Sequence, residues 1–131
     1  MAEIDRVPRV TLVPQTPEWL RGVTNRRGEI LSVVDLRTYL GLGPTPETTG
    51  RMLVLQLPFE DFSLGLLVDA VDGIVTVDHE AIHPPASTLE GVLAPFLSGM
   101  AAVGDQLVAV LDLDRLLRSP DIRQFDDTEE E

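Results

Sequence analysis

The residues that most resemble a chemical site are His79-Glu80-Ala81-Ile82-His83, which spell H-E-x-x-H. On a helix, two histidines at this spacing bind zinc while the glutamate activates water for peptide hydrolysis. Pro84 opposes that interpretation because it disfavours helical geometry at His83. The chain has no third histidine and no cysteine, so only a distant carboxylate could complete a zinc site. We disfavour a zinc peptidase and interpret His79 and His83 as loop residues, with no metal site.

Two aspartates at matching places, Asp35 and Asp112, resemble a pair of catalytic carboxylates. Each, however, stands between an apolar strand-like run and a short helical segment. A carboxylate at that step accepts a hydrogen bond from a backbone N–H group that the helix leaves without a partner. We therefore predict that both aspartates cap helices, and we predict neither a catalytic residue nor a cofactor.

The other candidate site is the basic turn Asn25-Arg26-Arg27-Gly28, which lies between the apolar runs 20–24 and 30–35. Two such runs closed by a turn containing glycine predict a β-hairpin. One interpretation is a positive surface presented to a partner. The alternatives are a solvated arginine pair, or an arginine that pairs internally with Glu29 or Asp35. Asn25 is a residue type that stabilises turns through its side-chain oxygen.

The elements that must position these residues are mostly short strands. Apolar runs predict an edge strand around 9–13, strands at 51–57, 63–68 and 73–77, and a second hairpin formed by 96–103 and 106–111. The segments 36–40 and 112–118 predict short helices, and 58–62 a turn. The fold class is therefore mainly β.

An internal repeat relates the two hairpins. Residues 22–40 align with 99–117 without gaps, at a constant offset of 77. The identical pairs are Gly22/Gly99, Val33/Val110, Asp35/Asp112, Leu36/Leu113 and Leu40/Leu117. These positions are the ones a core and a helix cap require, whereas Asn25, Arg26 and Arg27 have no counterparts in the second copy.

Composition and charge exclude several classes of protein. The net charge is −12, and residues 52–131 carry sixteen acidic residues against three arginines. Such a chain does not favour nucleic acid, whose phosphates require a basic face. No signal-peptide pattern and no apolar run long enough to span a bilayer is present, so we predict a cytoplasmic protein without membrane insertion. The acidic end, 119–131, predicts a solvated, disordered tail.

The stretch 22–42, GVTNRRGEILSVVDLRTYLGL, resembles the signature of the CheW-like chemotaxis coupling proteins. That signature runs roughly G-V-x-N-x-R-G-x-hydrophobic-x-P-V-x-D-L-x-x-x-L-G. Arg27 matches the family's near-fixed arginine, and Ser32 stands where proline is usual. The resemblance continues through 64–71 and 96–118 and covers about 7–118.

The resemblance implies a single domain, 1–118, built of two small SH3-like five-stranded β-barrels around a shared core. Their subdomains would lie at about 1–50 and 51–118. Full-length members begin with a strand pair upstream of this sequence, so the first barrel is expected to be incomplete, as in a shortened member of the FrzB kind. Sheet edges left open would be covered by rearrangement, by self-association or by a strand from a partner.

The resemblance also implies a function without catalysis. CheW-like proteins are adaptors that couple the cytoplasmic tip of a methyl-accepting chemoreceptor to the regulatory domain of a CheA-type histidine kinase. The receptor-facing candidates are Asn25, Arg26, Arg27, Val23 and Val33, and kinase binding is expected to be weakened by the missing strands. The alternative is a stand-alone protein-binding or oligomerising module.

Overall fold

The computed structural model describes residues 2–56, 63–84 and 94–119, and within them the chain is mainly β. The strands are β1 (Ala2–Arg6), β2 (Leu20–Arg26), β3 (Glu29–Asp35), β4 (Arg51–Gln56), β5 (Ser63–Val68), β6 (Leu97–Val103) and β7 (Gln106–Leu111). The helices are α1 (Leu36–Tyr39) and α2 (Leu113–Leu117), with 3₁₀ turns at His79–Ala81 and Ala94–Phe96. The predicted fold class is confirmed. The predicted turn at 58–62 and the acidic segment 120–131 lie outside the described residues.

The described residues divide into a unit that runs through Val71 and a second unit, Asp72–Ser119. In the first unit five strands form one sheet in the order β1-β4-β5-β3-β2. Neighbouring strands are antiparallel except β3 and β5, which run parallel. Thus β4 and β5, which fall in the predicted second subdomain, pair here with the N-terminal strand and the opening hairpin. The assignment of 1–118 to one domain stays a prediction.

The centre of this sheet carries the apolar core of the first unit. Val33 on β3, Met52 on β4 and Leu67 on β5 are buried together, and Val7, Val10 and Val54 pack around them. Most of β3 and β5 is buried, as expected of strands in the middle of a sheet. Burial falls off toward β1, where Ile4 is half exposed.

The opening hairpin forms as predicted. Arg26 pairs with Glu29, so the connection is the two-residue turn Arg27-Gly28. Both residues have positive φ, 54° and 87°, which is the requirement of a type I′ turn and matches the twist of the flanking strands. The side-chain oxygen of Asn25 accepts a hydrogen bond from the Gly28 N–H at 3.0 Å, which confirms the stabilising role predicted for Asn25.

Helix α1 is closed at both ends by local hydrogen bonds. The Asp35 carboxylate accepts from the Thr38 N–H at its N-terminus. At its C-terminus the Gly41 N–H donates to Thr38 O and the Leu42 N–H donates to Arg37 O, the two bonds of a Schellman motif. Gly41 has φ of 81°, as this motif requires.

The second unit repeats the hairpin and helix. β6 and β7 pair in a two-stranded sheet, and Asp112 caps α2 by accepting from the Arg115 N–H at 3.0 Å. The Asp112 N–H donates to Phe96 O, as the Asp35 N–H donates to Trp19 O, both at 2.7 Å. Because these partners are again 77 residues apart, the repeat predicted from the sequence is confirmed at the level of individual hydrogen bonds.

One predicted strand is wrong, and a second is present only in part. The run 73–77 forms no strand and pairs with none among the described residues, and Ile74 and Val75 are exposed there. Its β-branched residues have a high propensity for β-strands, but a strand also requires a neighbouring strand with which to pair. The edge strand predicted around 9–13 is reduced to one bridge, Thr11 to Val23 on β2. The opposite edge of the sheet is formed by Ala2–Arg6, a strand that was not predicted. Pro8, which has no N–H group, follows that strand.

Candidate partner-binding site

Arg27 occupies the first position of the type I′ turn and projects from the hairpin. Its side chain is 74% exposed, and its contact with Glu3 on β1 is long, at 3.5 Å. A type I′ turn favours asparagine, aspartate or glycine at this position, since other side chains are strained at positive φ. Arginine is thus a poor choice for the turn itself.

Arg26, the neighbouring residue, lies in a different environment. Its side chain is only 15% exposed, and its guanidinium donates to Asp5 Oδ2 at 2.6 Å and to Glu3 Oε1 at 2.5 Å. The alternative of internal pairing, left open by the sequence, therefore describes Arg26, although its partners are Glu3 and Asp5 in place of Glu29 or Asp35. These two partners could not be predicted from the local sequence, because Asp5 and Glu3 lie 21 and 23 residues before Arg26.

The charges of this cluster support one another. The hydrogen bond and positive charge of Arg26, together with the charge of Arg27, hold the pKa of the Glu3 carboxyl below its ordinary range. In return the hydrogen bonds to Asp5 and Glu3 raise the pKa of the Arg26 guanidinium. The Glu3 carboxylate and the Arg26 guanidinium therefore stay charged at neutral pH.

The two valines named with the turn differ in accessibility. Val23 is half-buried on β2, and its backbone pairs with Thr11 through hydrogen bonds of 2.8 and 3.0 Å. Val33 is completely buried against Met52 and Leu67. In this conformation Val33 stabilises the core and offers no surface to a partner. Of the five residues predicted to face a partner, three are accessible without being paired internally as Arg26 is: Asn25, Arg27 and, in part, Val23.

A cavity of about 510 Å³ lies beside the turn, where β1 ends and β2 approaches its last residues. Asn25 and Arg26 line the cavity from β2, and Asp5 and Arg6 line it from β1. The core residue Met52 also contributes to the lining. The turn thus stands next to a concave surface that combines charged and apolar groups.

Asp35 belongs to a buried hydrogen-bond network, of which the sequence predicted only the helix cap. Its carboxylate accepts from the Thr38 N–H at 3.3 Å, the Thr45 N–H at 3.0 Å, the Thr45 hydroxyl at 2.6 Å and Arg21 Nε at 3.0 Å. The predicted cap is confirmed, but the clamp on the loop at Thr45 was not foreseen. Burial alone would raise the pKa of Asp35, but the hydrogen bonds from Thr45 and Thr38 and the charge of Arg21 outweigh it, so the pKa is lowered.

The H-E-x-x-H residues do not form a helix that could hold zinc. The 3₁₀ turn His79–Ala81 ends before Ile82, whose backbone is extended. His83 pairs in β-fashion with Met100 through hydrogen bonds of 2.8 and 2.7 Å. In the part of the chain that the structure describes, no group of three or more histidine, aspartate or glutamate residues is placed to hold a metal ion.

Across the described residues, no helix is long and apolar enough to cross a membrane. The described residues thus present an exposed arginine in the turn of a β-hairpin, while Asp35 and Asp112 cap helices. The chain matches the CheW-like domain over residues 1–121 and therefore belongs to the CheW-like family. This is a family of non-catalytic scaffold and adaptor proteins.

Individual relatives agree with this membership. The chain is 29% identical to the chemotaxis protein CheW of Klebsiella aerogenes, over 95% of this chain and 74% of the relative. It is 32% identical to a probable chemotaxis protein CheW of Rhizobium etli, over 81% of this chain and 68% of the relative. The crystal structure of the scaffolding protein TtCheW from Thermoanaerobacter tengcongensis is similar with a TM-score of 0.74 and 27% identity, over 91% of this chain and 76% of that one. The role of this protein is that of an adaptor in chemosensory signalling.

Proposed function

We propose that this protein links the cytoplasmic tip of a chemoreceptor to the regulatory domain of a CheA-type histidine kinase, without catalysis of its own, in the cytoplasm. The observation that carries the receptor half of this proposal is the conformation of Arg27. A non-glycine residue at φ of 54° is uncommon, and such strain is a reason to ask what the side chain does.

Arg27 is suited to bind a carboxylate on another protein. Its planar guanidinium donates several hydrogen bonds in a fixed fork, which favours bidentate pairing with acidic side chains. The hairpin holds its backbone in place before binding, so little backbone order has to be gained on association. A chemoreceptor coiled coil offers a suitable partner where it exposes acidic side chains.

The neighbouring residues have supporting parts in this proposal. Asn25 keeps the turn closed through its bond to the Gly28 N–H, and Val23 supplies half-exposed apolar surface on the same strand. Arg26 is engaged within the protein, and Val33 acts through the core.

Co-purification with each partner offered separately tests the proposal. A receptor-tip coiled coil and a CheA regulatory domain are each immobilised and incubated with the full chain. Retention on both the receptor tip and the kinase domain is the expected result. Failure to bind either partner would contradict the adaptor proposal for these partners.

A stand-alone oligomerising module is the second candidate. The observation that favours it is the exposure of Leu107 and Val108 on β7, which pairs only with β6 among the described residues. Apolar residues on an open strand favour association with another chain. Sedimentation of the purified protein over a range of concentrations separates the two candidates, because a receptor-linked adaptor need not self-associate.

A further inference from the structure

The first sheet has two outer strands, β1 and β2, that stand at opposite ends of the strand order. Within the described residues no backbone ladder joins them. One side chain nevertheless spans the distance, since Arg26 on β2 reaches two carboxylates of β1. The sheet is thus curved enough at this end for its two edges to be connected through side chains.

The geometry of this connection is specific. Glu3 and Asp5 are two residues apart on β1, so both carboxylates point to the same face of the strand. Asp5 stands opposite the core residue Met52 in the strand register, which places these carboxylates on the side of the sheet that carries the core. The Arg26 side chain is 15% exposed where it meets these carboxylates, whereas the Glu3 and Asp5 side chains are 51% and 41% exposed.

We propose that Arg26, with Glu3 and Asp5, forms an ionic clasp that holds edge strand β1 against hairpin strand β2. Isolated ion pairs on a surface contribute little. Here one guanidinium donates to two carboxylates at 2.6 and 2.5 Å, and charge-assisted bonds of this kind are the stronger class. The clasp connects β1 and β2, which share no backbone ladder with each other, although the outer edge of β2 also carries the backbone bridge from Val23 to Thr11.

The clasp also fixes the base of the basic turn. Arg26 immediately precedes Arg27-Gly28 and pairs with Glu29 across the hairpin. Anchoring its side chain to β1 therefore limits movement of the strand end that carries the turn. Arg26 occupies a position that the signature G-V-x-N-x-R-G leaves open, so the clasp is a property of this chain. It goes beyond the proposed function, because it does not depend on which partner Arg27 binds.

Hydrogen exchange of the full chain tests the clasp. Arg26→Gln removes the charge but keeps a polar side chain, and Arg37→Gln is the matched control because Arg37 pairs with Asp69 on other elements of the same unit. Arg26→Gln should speed exchange of β1 amides and of the turn by about fivefold, while β4 and β5 amides keep their rates. Arg37→Gln should leave β1 and the turn unchanged. Equal exchange of β1 in the two variants would overturn the proposal.

A second set of variants separates the clasp from damage to the hairpin. Glu3→Gln combined with Asp5→Asn opens the clasp from the other side and should reproduce the faster exchange. Adding Arg26→Gln to that pair should have little further effect, since residues of one network are not additive. Fully additive effects, or no change on removal of the two carboxylates, would contradict the clasp.

Discussion

At the scale of single residues, Asp35 and Asp112 occupy equivalent positions of the repeat but contribute differently to stability. Both cap a short helix, with bonds to Thr38 and Arg115 respectively. Asp35 is also completely buried and bonded to Thr45 and Arg21, which ties the loop after α1 to the end of β3. Asp112 is more exposed, and its contact with Arg115 is long, at 4.0 Å. The shared cap was predictable because it is local, whereas the clamp depends on a loop ten residues away.

We predict that removal of these two carboxylates lowers the free energy of unfolding by unequal amounts. Asp35→Ala should lower the free energy of unfolding by about 3 kcal/mol, because the buried Thr45 donors and the partly buried Arg21 Nε lose their acceptor. Asp112→Ala should cost about 1 kcal/mol, the usual loss for a helix cap. Urea denaturation measures both, and equal losses would contradict the account.

The pH dependence provides a control on the Asp35 prediction. Since the pKa of Asp35 is lowered in the folded protein, its contribution is complete above the ordinary value of 3.8 and is lost as the pH falls through the lower folded value. The difference in unfolding free energy between the native chain and Asp35→Asn should therefore narrow below about pH 3.8. A constant difference across that range would show that the carboxylate charge is unimportant.

At the scale of elements, the structure explains why glycine recurs at positions 22 and 99 of the two repeats. Gly22 and Gly99 each lie at a register shift in their hairpin, with φ of 141° and 154°. A Cβ atom at Gly22 would collide with the Thr11 carbonyl oxygen, and one at Gly99 with the His83 carbonyl oxygen. In both units a bridging segment crosses close to the first strand, and its approach could not be foreseen from the hairpin alone.

Replacing either glycine should therefore destabilise the unit to which it belongs. Gly22→Ala and Gly99→Ala should each lower the free energy of unfolding by about 2 kcal/mol or more, through steric overlap with backbone that cannot easily move. Thermal or urea denaturation measures the loss.

Gly73→Ala is the control for these substitutions. Gly73 has φ of 149°, close to the values at Gly22 and Gly99, but a Cβ atom there would meet nothing within 4 Å. Its loss of stability should therefore be smaller than that of Gly22→Ala, because it lacks the steric overlap. Equal losses in the two variants would mean that backbone conformation, and not close approach, explains the repeated glycines.

Predictions about elements succeeded where the signal was local. Both hairpins, both short helices and their caps follow from turn residues and apolar spacing within about twenty residues. The strand at 73–77 failed because its apolar residues, such as Ile74, specify an extended backbone but not a neighbour. The strand at Ala2–Arg6 was missed because its charged residues face the core side, where Arg26 compensates them.

At the scale of the whole molecule, the structure separates the environments of Arg26 and Arg27, and the partner-binding site that we propose depends on that separation. The sequence presents two adjacent arginines with no counterparts in the second copy of the repeat, and nothing local distinguishes them. The structure assigns one to an internal ion-pair cluster and exposes the other. Only the fold brings Glu3 and Asp5 to Arg26, so this division required the tertiary structure. Membership of the CheW-like family then gives the exposed arginine its proposed partner.

Binding of Arg27 variants to a receptor-tip coiled coil, measured by titration calorimetry, tests the central claim most directly. Arg27→Glu should weaken binding at least about tenfold, or about 1.4 kcal/mol. The matched control Arg37→Glu makes the same change in net charge and should bind like the native chain. Arg27→Asn should also weaken binding while raising the free energy of unfolding by about 0.5 to 1 kcal/mol, because asparagine suits the turn better. Unchanged binding by a folded Arg27→Glu variant, or equal weakening by Arg37→Glu, would contradict the account.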